Sequence, residues 1–167
     1  FGGAVYFDVT VGANPLTITG YDTNTYETVQ FGWTVYITAP GVSAYGNEGN
    51  PALWNMVATG TGQGMGADNP SPVTLDNTFN LDAGSLYGMM LVMGPEAGHD
   101  YTNGDGTNRN FGNADLSLFL GSASNAPWAP TFFFPRVWNG TMYYDVIPGP
   151  GALALLGLAG LARRRRR

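Results

Sequence analysis

Residues 4–21 decide the fold class, and they read Ala-Val-Tyr-Phe-Asp-Val-Thr-Val-Gly-Ala-Asn-Pro-Leu-Thr-Ile-Thr-Gly-Tyr. β-Branched and aromatic residues fill 4–11 and 16–21, and apolar side chains alternate with polar ones in the second of these segments. A period of two residues is typical of a β-strand with one buried face. The Gly, Asn and Pro of residues 12–15 are residues that turns prefer. The stretch therefore predicts two strands joined by a turn.

The same kind of pattern continues along the chain. Further strands are predicted at 27–38, 73–81, 85–93, 115–121 and 141–146. Residues 85–93 form a short, fully apolar run, which is typical of a strand that is buried on both faces. Residues 52–59 are compatible with a strand or with one helical turn, and the β-rich flanks favour a strand.

The segments between these strands are rich in turn residues. Glycine, asparagine and proline in 60–72 and 94–114 predict two long loops. Asn139-Gly140 is a dipeptide that strongly favours a two-residue β-hairpin turn. No pattern of an amphipathic helix precedes the C-terminal tail. Residues 1–147 therefore predict an all-β domain, an antiparallel β-sandwich of the jelly-roll type.

Composition limits the classes of function. The chain has 167 residues, no cysteine and no lysine, so neither a disulfide nor a thiolate metal site exists. Residues 1–162 contain two arginines and twelve carboxylates, a net charge of −10. An acidic body repels phosphate backbones, so no nucleic-acid partner is expected. The start at Phe1 lacks the pattern of an export signal, and we expect a mature chain from which one has been removed.

The C-terminal residues 148–167 differ in composition from the body. Pro148-Gly149-Pro150 precedes an apolar stretch, 151–162, and five arginines follow it. Leucine and alanine favour helix, and clustered arginines stay on the cytoplasmic side of a membrane. The stretch therefore predicts a short apolar C-terminal helix that anchors the chain or stops its transfer, separate from the body. The alternative is a buried core helix followed by a solvated run of charge.

This three-part layout resembles the PEP-CTERM sorting signal of Gram-negative bacteria, in which a Pro-Glu-Pro box precedes a short transmembrane segment and an arginine-rich end. Gly149 stands where that family usually has glutamate. The resemblance implies a sorting signal made of Pro148, Gly149, Pro150, Arg163, Arg164, Arg165, Arg166 and Arg167. It also implies export, transient anchoring in the inner membrane, removal of the tail, and delivery to the cell surface or extracellular matrix. The implied partner is an exosortase-like sorting transpeptidase.

Parts of the body also resemble a domain that is frequent in such proteins, namely residues 7–9, 101–104, 113–116 and 135–144. This resemblance implies a secreted β domain with no assigned activity. The leading expectation is therefore a non-enzymatic, exported structural protein of the cell surface or matrix. A self-assembling filament or surface-layer subunit is the first alternative, because exposed strand edges pair across chains into homo-oligomers.

Catalysis has little support in the residue pattern. His99 is the only histidine, lies beside Asp100 in a predicted loop, and is expected at the surface. No Gly-x-Ser-x-Gly motif accompanies it. Hydrolysis by two carboxylates is an alternative, but the acidic residues fall mainly at predicted strand ends and turns, where aspartate is ordinary turn chemistry. We expect no enzyme activity, and we expect Arg136 to pair with a carboxylate.

Two binding sites are predicted from residue type. Asp100, Asn103, Asp105 and Asp115 place oxygen ligands in and around a glycine-rich loop, and such ligands suit Ca²⁺, although the loop lacks the closing glutamate of an EF-hand. A cluster of Asx and glycine turns is the alternative. Trp128, between two prolines, is the best candidate for an exposed aromatic that stacks on a sugar. A carbohydrate-binding module for extracellular polysaccharide is thus the second functional alternative.

Overall fold

The computed structural model describes residues 2–148, and this part of the chain is all-β. Its strands are β1 (Ala4–Val11), β2 (Leu16–Thr23), β3 (Gln30–Ile37), β4 (Asn55–Gln63), β5 (Ser71–Leu81), β6 (Leu86–Met93), β7 (Thr102–Asn103), β8 (Asn110–Gly112), β9 (Leu116–Ser124), β10 (Arg136–Val137) and β11 (Gly140–Val146). One 3-10 turn, Pro51–Leu53, precedes β4. The predicted all-β class is confirmed. The predicted C-terminal helix lies outside the described residues.

Nine of these strands form one antiparallel sheet, in the order β11-β2-β5-β4-β3-β6-β1-β9-β8, and β7 pairs separately with β10. The sheet curls into a half-barrel. Register shifts interrupt the ladders at Tyr6/Phe7, at Val35/Tyr36 and at Tyr143/Tyr144. Such bulges bend a strand and increase its twist, which gives the sheet its curvature.

The concave face of the sheet holds the main core. Phe7 and Leu120 from one end of the sheet and Ile18 and Leu81 from the other belong to the same apolar cluster. Trp33, in the middle of the strand order, is 2% exposed and lies beside Tyr21, with ring centroids 5.8 Å apart. Burying one large apolar side chain contributes about 1.5–3 kcal/mol, so this shared core holds the curled sheet together.

A second, smaller core covers the convex face of β1 and β6. Alternate residues of β1 point to opposite faces, which places Tyr6 in this cluster and its neighbour Phe7 in the main core. Trp54, after the 3-10 turn, and Phe132 cover Tyr6, with centroids at 5.8 and 5.6 Å. The strand β6 is buried at every position from Tyr87 to Met93, so the predicted burial on both faces is confirmed.

Side chains link the two ends of the strand order. The Tyr144 hydroxyl on β11 accepts a hydrogen bond from Asn113 Nδ2 at 2.8 Å and donates one to Asp115 Oδ2 at 3.2 Å. Asn113 and Asp115 lie in the turn between β8 and β9. The open side of the half-barrel is therefore bridged at this point by side chains and not by a backbone ladder.

The predicted hairpin at Asn139-Gly140 is wrong. The strand before this dipeptide, β10, pairs with β7, and the strand after it, β11, pairs with β2. Gly140 instead lets the Trp138 ring and the Asp22 carbonyl oxygen pack directly against the backbone, because a Cβ at this position would overlap both. Long-range contacts of Trp138 therefore override the local turn preference.

Two predicted boundaries also need correction. Residues 60–63 belong to β4 and not to the predicted loop at 60–72, and the predicted loop at 94–114 contains the short strands β7 and β8. In the ambiguous segment 52–59, residues up to Leu53 belong to the 3-10 turn and residues from Asn55 onward form a strand. The helical-turn alternative therefore describes the start of this segment, and the strand alternative describes the rest.

The described sheet ends just before the tail. Strand β11 ends at Val146, and Ile147 N donates to Pro15 O at 2.9 Å. Removing residues 149–167 is therefore expected to change the melting temperature by no more than about 2 °C, since it removes no described contact. Circular dichroism on heating, in one detergent for both chains, measures this.

The matched control removes residues 140–167. This truncation deletes β11, which pairs with β2 over its whole length, and leaves Asn113 and Asp115 without Tyr144. We expect this chain to lose its cooperative melting transition. A tail truncation at 148 that unfolds the protein would contradict the boundary.

Candidate functional site

Asn24, directly after β2, joins three segments at one end of the sheet. Its side-chain Oδ1 accepts from Asp68 N, and its Nδ2 donates to Asp100 Oδ2, both at 3.0 Å. Its backbone N donates to Asn139 O at 3.0 Å, and its carbonyl accepts from Asp100 N at 3.0 Å. Asn24 is 9% exposed, and pairing both polar atoms of its side chain offsets that burial. The three segments are thereby fixed relative to one another.

An open groove of about 330 Å³ lies over this junction. Most of the residues that line it are of polar type: Asp22, Thr23, Asn24, Asp68, Asn69, Pro70, Asn139, Gly140 and Thr141. The volume is at the low end of the range for small-molecule sites. We call this feature the Asn24 groove.

Tyr143 does not line the Asn24 groove but lies beside it, two residues along β11 from Thr141, which does line it. Its hydroxyl donates a short hydrogen bond to Asp22 Oδ2, and its side chain is 47% exposed. Tyr143 is the β-ladder partner of Gly20, and a Cβ added to Gly20 would lie 3.9 Å from Tyr143 Cδ2. The absence of a side chain at Gly20 therefore lets the ring lie against the strand. The bond to Asp22 fixes the ring and raises the pKa of Tyr143.

The electrostatic character of the Asn24 groove is negative. Asp22 and Asp68 line it, and no arginine of residues 2–148 is among its lining residues. Partial burial raises the pKa of the adjacent Asp100, and the negative charge of Asp68 adds to this shift. Asp68 has a φ of 60°, in the left-handed region that aspartate tolerates better than most residues. The groove therefore favours neutral or positively charged ligands.

A second cavity, of about 440 Å³, lies near the start of the described chain and is lined in part by Glu27, Glu96, His99 and Tyr101. The predicted surface histidine, His99, is only partly exposed. The His99 ring packs edge-on against Trp33 at 5.4 Å, and His99 Nδ1 is buried without a hydrogen-bond partner in residues 2–148. His99 Nε2 lies 3.2 Å from Leu91 O, so this nitrogen carries the proton. Burial lowers the pKa of His99 to about 4.

The chemistry available in this second cavity is limited by that arrangement. Within residues 2–148, the hydrogen bond of the His99 ring goes to a backbone carbonyl and not to a hydroxyl that could act as a nucleophile. The Glu27 carboxylate accepts from the Thr25 hydroxyl and from Gly98 N, and the Thr25 bond lowers the pKa of Glu27. These contacts hold the loop after β6 in place.

The predicted calcium ligands contact different parts of the fold. Asp100 binds Asn24, Asp115 binds Tyr144, and Asn103 lies in β7. Asp105 closes its own loop, because its Oδ1 accepts from Thr107 N, Thr107 Oγ1 and Asn108 N; these bonds lower the pKa of Asp105. Within residues 2–148, no three histidine or carboxylate side chains form a group that could hold a metal. Calcium binding stays a prediction from the sequence.

Trp128, the predicted sugar-stacking residue, is only partly exposed. Its ring packs edge-on against Tyr36 at 5.2 Å, and its backbone N donates to the Tyr6 hydroxyl at 3.1 Å. Its φ of 55° is unusual for a bulky residue. Trp128 therefore belongs to the cover of the smaller core, and a sugar-binding role for it stays a prediction.

The arginines of the body are held by aromatic rings. Arg136 donates to Pro135 O and lies 5.5 Å from the Tyr101 ring centroid, so the predicted carboxylate pairing is not what holds it. Arg109 was missed as a feature by the sequence reasoning. It is 8% exposed, donates to Leu120 O at 2.6 Å, and lies between Phe119 and Phe134 at 4.1 and 4.4 Å from their centroids. Such cation–π contacts replace part of the hydration that burial removes.

Of the predicted sorting signal, only Pro148 belongs to the described residues, where it is exposed. Gly149, Pro150 and the five terminal arginines lie outside them. Within the described part of the chain, no helix has the length and apolar character needed to cross a membrane.

Neither the protein-family profiles nor the curated proteins contain a match to this sequence.

Proposed function

We propose that the chain is a non-enzymatic, exported protein of the cell surface or extracellular matrix, delivered there by its C-terminal signal. The observation that carries the proposal is the layout of residues 148–167: a Pro-Gly-Pro box, an apolar stretch and five arginines. The position of this layout adds support, since the last strand ends at Val146, two residues before the box. An enzyme acting at the box would not have to open the described sheet.

The charge distribution supports the same proposal. The arginines at 163–167 account for five of the seven basic residues, so a product without them carries a net charge of −10. High net charge of one sign favours solubility and opposes non-specific association. The proposed partners are an exosortase-like transpeptidase and, during export, the inner membrane.

Cell fractionation tests the proposal. The chain is produced behind an export signal in Gram-negative cells that contain an exosortase-like enzyme. We expect the body at the cell surface or in the matrix. Replacing Arg163 to Arg167 with serine removes the positive charges that keep the C-terminus on the cytoplasmic side of the membrane. We expect this variant not to be anchored and to be released from the cells.

The matched control ends at Pro148 and lacks the anchor altogether. It is expected to behave like the serine variant, as a released soluble domain. Equal surface retention of all three chains, or recovery of the wild type only from the cytoplasm, would contradict the proposal.

We also propose a more detailed description of the fold, based on how the strands pack in the main core. Apolar side chains of β1, β6 and β9 face those of β2 and β5 across one shared cluster. This arrangement supports a description of the curled sheet as a jelly-roll-like sandwich in which the two layers remain joined through β4 and β3.

A filament or surface-layer subunit is the second candidate. The observation that favours it is the strand β11, which has seven residues and stands at one end of the strand order with one neighbour, β2. Edge strands of this length can pair with a second chain, although the bulge at Tyr143/Tyr144 opposes regular pairing. Filaments in electron micrographs of the concentrated protein would favour this candidate over a monomeric surface domain.

A further inference from the structure

The Asn24 groove presents hydrogen-bonding atoms that the protein itself does not use. In residues 2–148, the Asp68 carboxylate and the Thr141 hydroxyl have no hydrogen-bond partner, although both line the groove. Asn139 Oδ1 accepts from the Thr102 hydroxyl at 3.0 Å, which orients the amide and leaves its Nδ2 as a free donor. A carboxylate accepts, an amide nitrogen donates, and a hydroxyl does both.

This set of groups matches adjacent hydroxyl groups on a ligand. Each ligand hydroxyl has one proton to donate and lone pairs to accept with, so a pair of hydroxyls can bond to a carboxylate and an amide at once. The groups are also held in fixed positions, because Asn24 ties the segments of Asp68 and Asn139 together. Groups that are ordered before binding cost less entropy when the ligand arrives.

Tyr143 adds an apolar surface beside these polar groups. One side of its ring lies toward Gly20 and its hydroxyl is bonded to Asp22, while almost half of the side chain remains exposed. A ring held in this way loses little freedom when a flat apolar face packs on it. The C–H face of a sugar ring is such a surface, and its hydroxyl groups lie around the edge.

Charge narrows the class of ligand. Within the described part of the chain, the Asn24 groove contains Asp22 and Asp68 and no basic residue, in a body with a net charge of −10. Uronic acids, sulfated sugars and phosphates are therefore repelled. The groove is also open to solvent, which does not suit a ligand held mainly by apolar burial.

We propose that the Asn24 groove binds an uncharged sugar unit of a polysaccharide, with Tyr143 stacking on the sugar ring and Asp68, Asn139 and Thr141 bonding to its hydroxyls. This binding goes beyond the proposed surface role, which needs no ligand. It also places the sugar site away from Trp128.

Affinity electrophoresis of the purified full chain in native gels tests this proposal. The gels contain dextran, hydroxyethyl cellulose, galactomannan or, as the anionic probe, polygalacturonate. We expect at least one neutral polymer to retard the wild type. Any retardation by polygalacturonate, which the five terminal arginines attract, should be the same in the wild type and in Tyr143→Ala. Tyr143→Ala is expected to weaken binding to that neutral polymer by about tenfold or more, since aromatic contact and packing are lost together.

Two further variants separate binding from folding. Thr141→Val removes the hydroxyl and keeps the shape of the side chain, and we expect weaker binding with an unchanged melting temperature. Tyr45→Ala is the matched control, because Tyr45 is 61% exposed and lies outside the groove, and its binding should equal that of the wild type. No retardation by any neutral polymer, retardation by polygalacturonate that is lost in Tyr143→Ala, or equal losses in Tyr143→Ala and Tyr45→Ala would overturn the proposal.

Discussion

Replacing Trp138 with alanine is expected to lower the free energy of unfolding by about 3–5 kcal/mol. Trp138 is 6% exposed and stacks on Phe7, with ring centroids 5.4 Å apart and planes within 3° of parallel. Its indole nitrogen donates to Thr23 Oγ1 at 3.2 Å. The substitution therefore opens a large cavity and also leaves the buried Thr23 hydroxyl without its donor.

Thermal unfolding followed by circular dichroism measures this loss. At roughly 2–4 °C per kcal/mol for a domain of this size, the melting temperature should fall by roughly 6–20 °C. Trp138→Phe keeps an aromatic ring against Phe7 and should lose less. The control is Tyr26→Ala, at a side chain that is 70% exposed, with an expected change within about 0.5 kcal/mol. Equal effects of Trp138→Ala and Tyr26→Ala would contradict the assignment of Trp138 to the core.

Lowering the pH from 7 to 5 is expected to reduce the free energy of unfolding by roughly 2 kcal/mol through His99 alone. The pKa of His99 is about 4 in the folded chain, against 6.5 for an unperturbed histidine. Between these values the unfolded state binds a proton that the folded state does not. The contribution of His99 to stability is therefore complete above about pH 6.5 and is lost as the pH falls toward 4.

Urea unfolding at pH 7 and pH 5 gives this difference directly. Glu27 has a lowered pKa and loses its contribution only at more acidic pH. The raised pKa of Asp100 acts in the opposite direction, because the folded state takes up that proton more readily than the unfolded state as the pH falls. In His99→Asn, which cannot be protonated, the difference between the two pH values should shrink to less than about 0.5 kcal/mol. A wild type with the same stability at both pH values would mean that His99 is not held neutral against Trp33.

The strands were predictable because their apolar residues alternate. The prediction of β1 at 4–11 agrees with the structure to the residue, and β6 is buried on both faces as its apolar run indicates. The pairing of the strands was not predictable. Local sequence favours a hairpin at Asn139-Gly140, but the contacts of Trp138 with Phe7 and Thr23 send the chain to β2 instead. Those partners are more than 100 residues away in the sequence.

The Asn24 groove could not be found from the sequence for the same reason. Asn24, Asp68 and Asn139 each resemble ordinary turn residues, and only the fold brings them together. His99 was misplaced because a polar loop pattern does not reveal that the ring turns inward onto Trp33. The only signal in the sequence was a single aromatic or histidine ring in a turn-rich segment. Such a ring can lie at the surface or in the core, and only its tertiary contacts decide which.

The most direct test of the proposed sorting is the intact mass of the protein recovered from the surface of its native cells. The proposal predicts a chain that ends at the Pro148-Gly149-Pro150 box, without the apolar stretch 151–162 and the arginines at 163–167. Mass spectrometry distinguishes a chain that has lost only the arginines from one that has lost the whole tail. A surface-exposed protein whose mass still includes all five arginines would contradict cleavage, and a protein found only in the cytoplasm would contradict the account as a whole.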